Sequence, residues 1–360
     1  MKAKTQIFHS CFTLNGLNYE YAEDLLAFAK KLSKEGDDFE IRIGNFIQKW
    51  LNDDDFIIVK TSGSTGDAKK IKLKKQHLIN SARATGAYFD LGENTSALLC
   101  LSAKYIGGKM MLIRAMTLGW DLHIVSPEKD ALTQYDNDYD FVAMVPYQVY
   151  HSLGALKKVK KLIIGGGSVS QELMEDIKDI STEVFATYGM TETCSHVAVK
   201  ALNGKNKSEV FSALSNVTFT TDERNCLVID APHIADDIVT TNDLVELISP
   251  TAFKWLGRYD NVINSGGIKI HPEKLEEKLA SFIKLPFIIA SEKDDQLGER
   301  VILILENEEK NKVPNYSVGF ASLEGYEKPK KIYTITQFPF TDTGKIKRAD
   351  VLQLLREFKK

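Results

Sequence analysis

Short runs of wholly apolar residues recur along the first half of this chain: Phe56–Val59, Ala97–Leu101, Leu122–Val125, Phe141–Val145, Leu162–Ile164 and Val184–Ala186. Each has strand length, and none alternates, so both faces should be covered. Helical or turn-rich stretches lie between most of them. Alternation of this kind predicts an α/β fold with substantial parallel pairing. At 360 residues the chain exceeds one comfortable core, so a large domain and a smaller one are expected. Residues 208–250 read differently, with strands Val217–Thr220, Leu227–Asp230 and Leu244–Ile248. They suggest a small antiparallel or barrel-like insert. After Asp260 the pattern resets. His271-Pro272-Glu273 opens a helix carrying Leu275, Leu279 and Phe282. Strands Phe287–Ala290, Val301–Leu305 and Ile332–Thr336 follow, then a helix over Ala349–Phe358. The predicted fold is α/β: a large N-terminal domain (1–259) of strand–helix layers with a β-rich insert, and a small α+β C-terminal domain (260–360) beyond a hinge. The first 55 residues read as helical and peripheral, with an amphipathic helix over Glu20–Leu32.

Composition removes several classes of function. Lys+Arg 46 against Asp+Glu 49 gives a net charge of -3, which argues against a nucleic-acid partner. The 4 cysteines are scattered, with no CxxC pair, so neither a disulfide scaffold nor a zinc knuckle is expected. The N-terminal residues lack the apolar core of a signal peptide, and no uncharged apolar run reaches membrane-spanning length. A soluble, cytoplasmic protein is expected.

Five segments carry chemistry. The first is Thr61-Ser62-Gly63-Ser64-Thr65-Gly66-Asp67-Ala68-Lys69-Lys70, read as a loop between a strand and a helical segment. Its glycines let backbone N–H groups converge on one point, and its hydroxyls and lysines add donors, so it reads as a phosphate loop. It is not a Walker A motif, because Ala68 and Lys70 stand where Gly and Ser/Thr are needed. The alternative is a polar turn leading into a solvated lysine run. The second is Gly165-Gly166-Gly167 after a strand, where a flat ligand can approach the backbone, although a tight turn explains it equally. The third, Tyr188-Gly189-Met190-Thr191-Glu192, sets a ring, a hydroxyl and a carboxylate together, and such a carboxylate would suit Mg²⁺ beside phosphates. The fourth is Asp243 with Arg258, an acceptor for a ribose diol and a companion cation. The fifth, Thr341-Asp342-Thr343-Gly344-Lys345, puts a lysine at a loop tip, where it can stabilise developing charge.

Taken in order, these five segments resemble the adenylate-forming enzymes: acyl-CoA synthetases, adenylation domains of peptide synthetases and firefly luciferase. The resemblance spans roughly Phe56 to Arg348. It implies that Thr61 to Lys69 holds the β- and γ-phosphates of ATP, that Gly165–Gly167 lies along adenine and that Tyr188 stacks on it. It implies contacts of Thr191 with the α-phosphate, Glu192 with Mg²⁺, and Asp243 with the ribose beside Arg258. Asp260 falls at the family's hinge, and Ser265-Gly266-Gly267-Ile268-Lys269 resembles its thioester-forming loop. Lys345 matches the lysine that contacts the carboxylate and α-phosphate during adenylation. ATP, Mg²⁺, CoA and a small carboxylic acid are the implied partners.

The segment Ser102–Met110 resembles the stretch beside the family's acyl pocket, with Tyr105 where many members have His. Together with the short N-terminal region, it is most similar to the branch that activates o-succinylbenzoate in menaquinone synthesis. That substrate has two carboxylates, so its pocket needs a donor beyond Lys345. Lys109, Arg114, Ser195 and His196 are the candidates, with a helix-surface or structural salt-bridge residue as the alternative for Arg114. The sequence departs from the family pattern at Asp67-Ala68, Lys70 and Asn242. Part of the usual N-terminal subdomain is missing, and a second protomer is one source of the absent wall. Competing readings are loading of a carrier protein, activation of another aryl or fatty acid, a decayed nucleotide-binding protein, and nucleic-acid binding through Lys69–Lys75.

Overall fold

The computed structural model describes residues 8–60, 69–308, 315–341 and 346–358. The chain starts with a hairpin, β1 (Thr13–Leu14) and β2 (Leu17–Asn18). Its turn is Asn15-Gly16, both at positive φ (49° and 74°), as a two-residue hairpin turn demands. Helices α1 (Ala22–Glu35) and α2 (Asp38–Leu51) follow. Asp37 starts α2, its N–H donating to Glu40 Oε2 at 2.8 Å while its carboxylate accepts from the N3 backbone. Ile43, Phe46, Ile47 and Trp50 recur at helical spacing and are buried. They join Leu25 and Ala29 of α1 in the largest apolar cluster. The N-terminal helices are therefore part of the main core, which corrects the expectation of a peripheral segment. Burying each such side chain contributes about 1.5–3 kcal/mol.

A second correction concerns the surroundings of the serine- and glycine-rich loop. β3 (Phe56–Lys60) pairs antiparallel with β4 (Lys70–Lys74) in a separate two-stranded ribbon. Only then does α3 (Lys75–Phe89) begin. The segment between β3 and β4 is therefore followed by a strand and not directly by a helix. The signal was present in Lys70-Ile71-Lys72-Leu73-Lys74, whose alternation buries Leu73 and exposes the lysines.

The main sheet follows: β5 (Ser96–Leu99), α4 (Ile106–Leu118), β6 (Asp121–Ile124), β7 (Tyr139–Met144), α5 (Pro146–His151), β8 (Val159–Ile164), α6 (Gln171–Asp176) and β9 (Glu183–Gly189). Strands β1, β6, β5, β7, β8 and β9 lie side by side and parallel. Residues after β9 continue the same sheet in antiparallel fashion: β10 (His196–Ala201), β11 (Phe211–Ala213), β12 (Thr218–Thr221), β13 (Cys226–Asp230), β14 (Val239–Ser249) and β15 (Ala252–Arg258). The β-rich region is antiparallel as expected. It is an extension of the main sheet and not a separate insert.

A second sheet contains β16 (Ile263–Ser265), β17 (Ile268–Ile270), β18 (Phe287–Asp294), β19 (Gly298–Glu306) and β20 (Lys331–Ile335). Three helices pack with it: α7 (Pro272–Leu279), α8 (Ser317–Ala321) and α9 (Arg348–Phe358). The architecture is mixed α/β, with layers of helix on a large sheet and a smaller α+β part. Among the described residues, no helix is long and apolar enough to cross a membrane.

Candidate active site

In open parallel sheets, ligands collect beyond the carboxyl ends of the strands. Here the end of β8 carries Gly165–Gly167 and the end of β9 carries Tyr188 to Glu192. A Cβ on Gly165 would stand 2.9 Å from Thr187 Oγ1, so any larger residue there would force the Thr187 side chain to shift. Gly166 is exposed at φ +78°, a conformation that favours glycine. Beyond β9, Thr191–Thr193 form one tight turn, in which Thr191 is half-buried and Glu192 exposed.

The antiparallel strands bring Asp243 to the same place. Asp243 on β14 faces Arg258 on β15 in the strand register. Tyr188 Oη donates to Asp243 Oδ2 at 2.8 Å, and Trp255 Nε1 donates to Oδ1 at 3.1 Å. Arg258 Nη1 lies 3.7 Å from Oδ1, and its Nη2 pairs with Asp260 at 3.2 Å. Asn242 also donates to Asp260, at 3.1 Å. Burial, then the Asp243 carboxylate, pushes the Tyr188 hydroxyl far above its ordinary range, so it remains a donor. The Tyr188 ring packs edge-on against Phe253 and Phe211. The sequence candidates Tyr188, Asp243, Arg258 and Asp260 are therefore one connected group. Trp255 belongs to it and was missed in the sequence. Its only signal was its place on the strand paired with that of Asp243.

A second group surrounds Arg114. Helix α4 is buried on nearly every side, and Arg114 is only 2% exposed. Its Nη2 donates to Ser195 Oγ at 2.9 Å and lies 3.3 Å from His196 Nδ1; its Nε donates to Thr85 Oγ1 at 3.2 Å. An arginine only donates, so His196 Nδ1 accepts and its Nε2 carries the proton. That N–H faces Thr85 Oγ1 at 3.3 Å, and the Thr85 hydroxyl donates to Ser81 O. Burial pushes Arg114 down to about 9, and no charged partner among the described residues opposes it. Burial, then Arg114, holds His196 well below its ordinary value, hence neutral. The alternative for Arg114, a helix-surface or salt-bridge residue, does not fit: it is buried and forms no ion pair among the described residues. Thr85 was not foreseen in the sequence, because only the packing of α3 on α4 brings it here.

Lys109, grouped with these residues in the sequence, is turned elsewhere. Its Nζ donates to Ala103 O at 2.6 Å and to Lys104 O at 2.7 Å. Tyr105 is half-buried and lines a cleft of about 760 Å³ with Asp37, Phe39, Arg42 and Glu128. The α1–α2 turn thus supplies one wall of that cleft. Gly266 and Gly267 form the β16–β17 turn at φ +58° and +83°, with Lys269 exposed on β17. Thr61, Ser62, Gly63, Ser64, Thr65 and Gly66 lie outside the described residues, as does Lys345; Lys69 is exposed at the edge of β4. Among the described residues, no cluster of three His, Cys, Asp or Glu could alone hold a metal.

A glycine turn and a tyrosine–aspartate pair thus lie at the strand ends of a mixed α/β sheet. The profile of the AMP-binding enzyme family matches residues 16–221, and the chain belongs to that family. An acyl-CoA synthetase (AMP-forming)/AMP-acid ligase II-like protein from Dyadobacter fermentans is 37% identical, with a TM-score of 0.61. The match covers 91% of this chain and 98% of that one. The 2-succinylbenzoate–CoA ligase of Arabidopsis thaliana is 25% identical, over 86% of this chain and 69% of its own length. The o-succinylbenzoate coenzyme A synthetase of Bacillus subtilis, solved with ATP and a magnesium ion, is 18% identical with a TM-score of 0.70. It covers 82% of this chain and 69% of its own, and shows a shared fold.

Proposed function

We propose that this chain is an AMP-forming acid–CoA ligase acting on o-succinylbenzoate in the cytoplasm. The observation that carries the choice of acid is Arg114, a buried guanidinium with no carboxylate partner among the described residues. An uncompensated buried cation costs several kcal/mol. It bonds Ser195, three residues after Glu192, so a second carboxylate on the acid would meet it beside the reacting end.

The nucleotide-facing residues fit ATP. Each oxygen of Asp243 accepts one protein hydrogen bond and retains a lone pair for a ribose hydroxyl. Gly166 leaves room beside β8 for adenine, with Tyr188 on the next strand. Glu192, which is exposed, would hold Mg²⁺, and the hydroxyl of Thr191 would contact the α-phosphate. Mg²⁺, when bound, draws charge off the phosphates. The phosphate loop Thr61–Lys69 would grip the departing pyrophosphate. Lys345 would bridge the incoming carboxylate and the α-phosphate, offsetting the repulsion between two anions. Arg348, three residues further on, is anchored by Glu276 through two contacts of 2.7 Å, which would steady the segment. Rotation about Asp260 would then present Gly266, Gly267 and Lys269 for thioester formation.

The free cysteines agree with a reducing compartment. A homodimer remains part of the proposal and is read from the mass in solution. The experiment is AMP release from ATP with free CoA and a panel of o-succinylbenzoate, benzoates and long-chain fatty acids. Preference for o-succinylbenzoate supports the reading. Reaction with fatty acids alone, or with a carrier protein and not CoA, overturns it.

A further inference from the structure

Lys109 occupies an unfavourable place. It lies in the first turn of α4, where helix N–H groups are electropositive and a cation is disfavoured. Its ammonium is largely buried, and burial, then nearby Lys49, lowers it to about 8. No carboxylate offsets this among the described residues. The ammonium instead donates to two successive carbonyls, Ala103 O and Lys104 O, and lies 5.9 Å from the Phe46 ring of α2. Beside it, a Cβ on Gly108 would fall 2.4 Å from Ser102 O, so the same loop rests directly on the helix backbone. Within the loop, Lys104 N–H donates to Ser102 Oγ at 3.3 Å and Tyr105 N–H to Ser102 O at 3.1 Å. Lys109 N–H donates back to Tyr105 O at 3.2 Å. Five hydrogen bonds converge on Ser102, Ala103, Lys104 and Tyr105, and the last of these carries the ring that lines the cleft.

We propose that Lys109 is a positioning residue: it fixes the Ser102–Tyr105 loop, and through it the Tyr105 ring, without touching the acid. This rests on the reading of Tyr105 as part of the acid's site. A residue that acts through Tyr105 must lose its effect when Tyr105 is gone.

The test is a double-mutant cycle of Lys109→Met and Tyr105→Ala, with KM measured for o-succinylbenzoate and for benzoate. The expected result is a rise of at least fivefold for either acid in each single variant, with the double variant no worse than Tyr105→Ala alone. Additive losses, a loss confined to the dicarboxylate, or no loss in Lys109→Met would each overturn the proposal. Fluorotyrosine placed at position 105 gives a readout independent of substrate. Its ¹⁹F resonance should shift or broaden in Lys109→Met, and in Lys109→Gln should the first variant fold poorly. An unchanged resonance overturns the positioning role. Failure of wild-type enzyme on both acids would sink the substrate reading, while the fluorine signal would still decide on Lys109.

Discussion

Replacing Arg114 by Met separates its binding role from any role in stability. Removing the guanidinium relieves the desolvation of a buried, uncompensated charge, an effective penalty of several kcal/mol. It also strips donors from Ser195 Oγ, Thr85 Oγ1 and His196 Nδ1. The two hydroxyls keep their own protons to donate, and the Ser195 hydroxyl, 3.5 Å from His196 Nδ1, can replace the lost donor only in part, at a cost of about 1–3 kcal/mol. These terms oppose each other, so the urea midpoint should hardly move. Binding of the diacid has no such offset. Losing one partner of a buried charge pair costs about 2–5 kcal/mol. At 1.36 kcal/mol per tenfold, that is roughly 30-fold to over 1,000-fold in kcat/KM. The assay is steady-state AMP release with o-succinylbenzoate and with benzoate in parallel. Benzoate should change less than about threefold, since it offers Arg114 no second carboxylate. Equal losses for the two acids would refute the reasoning, and so would a collapse of the urea midpoint.

Tyr188→Phe removes the charge-assisted bond to Asp243 and should raise KM for ATP about tenfold while leaving KM for the acid unchanged; steady-state kinetics in each substrate check this. Arg348→Met leaves the Glu276 carboxylate without its cation and should cost about 3 kcal/mol in urea unfolding, with slower adenylation as the start of α9 loosens. An unchanged unfolding curve would show that the pair does not anchor α9. Stability should fall as the pH is lowered through about 6.5, because His196 resists protonation when folded but accepts it when unfolded. His77, His233 and His271 are shifted in the same direction and add to the slope. His196→Gln should flatten part of this dependence, at most about 1.4 kcal/mol per pH unit, as read from urea unfolding at two pH values.

Much of this arrangement could be read from residue order alone. The apolar runs Leu122–Val125, Phe141–Val145 and Leu162–Ile164 became neighbouring parallel strands because nothing but burial on both faces suits them. Tyr188, Asp243 and Arg258 converge because strand ends and one hairpin register place them. The sequence could not reveal which side chains fill the core beside them. Arg114 and Ser195 are separated by 81 positions, and only the layering of α4 near the end of β9 joins them. Lys109 looked like a ligand by its charge, yet its reach back to Ala103 and Lys104 depends on the local turn. The N-terminal helices looked peripheral because their apolar stripes have no partner until α1 and α2 meet the main sheet.

The central claim is tested most directly by the products of ATP. Purified protein with o-succinylbenzoate, MgATP and free CoA should yield AMP, pyrophosphate and the CoA thioester in equal amounts. Lys345→Ala should cut acid-dependent pyrophosphate exchange by at least 100-fold, a loss of about 2.7 kcal/mol in transition-state stabilisation. Formation of ADP, nucleotide turnover without acid, or undiminished exchange in Lys345→Ala would contradict it.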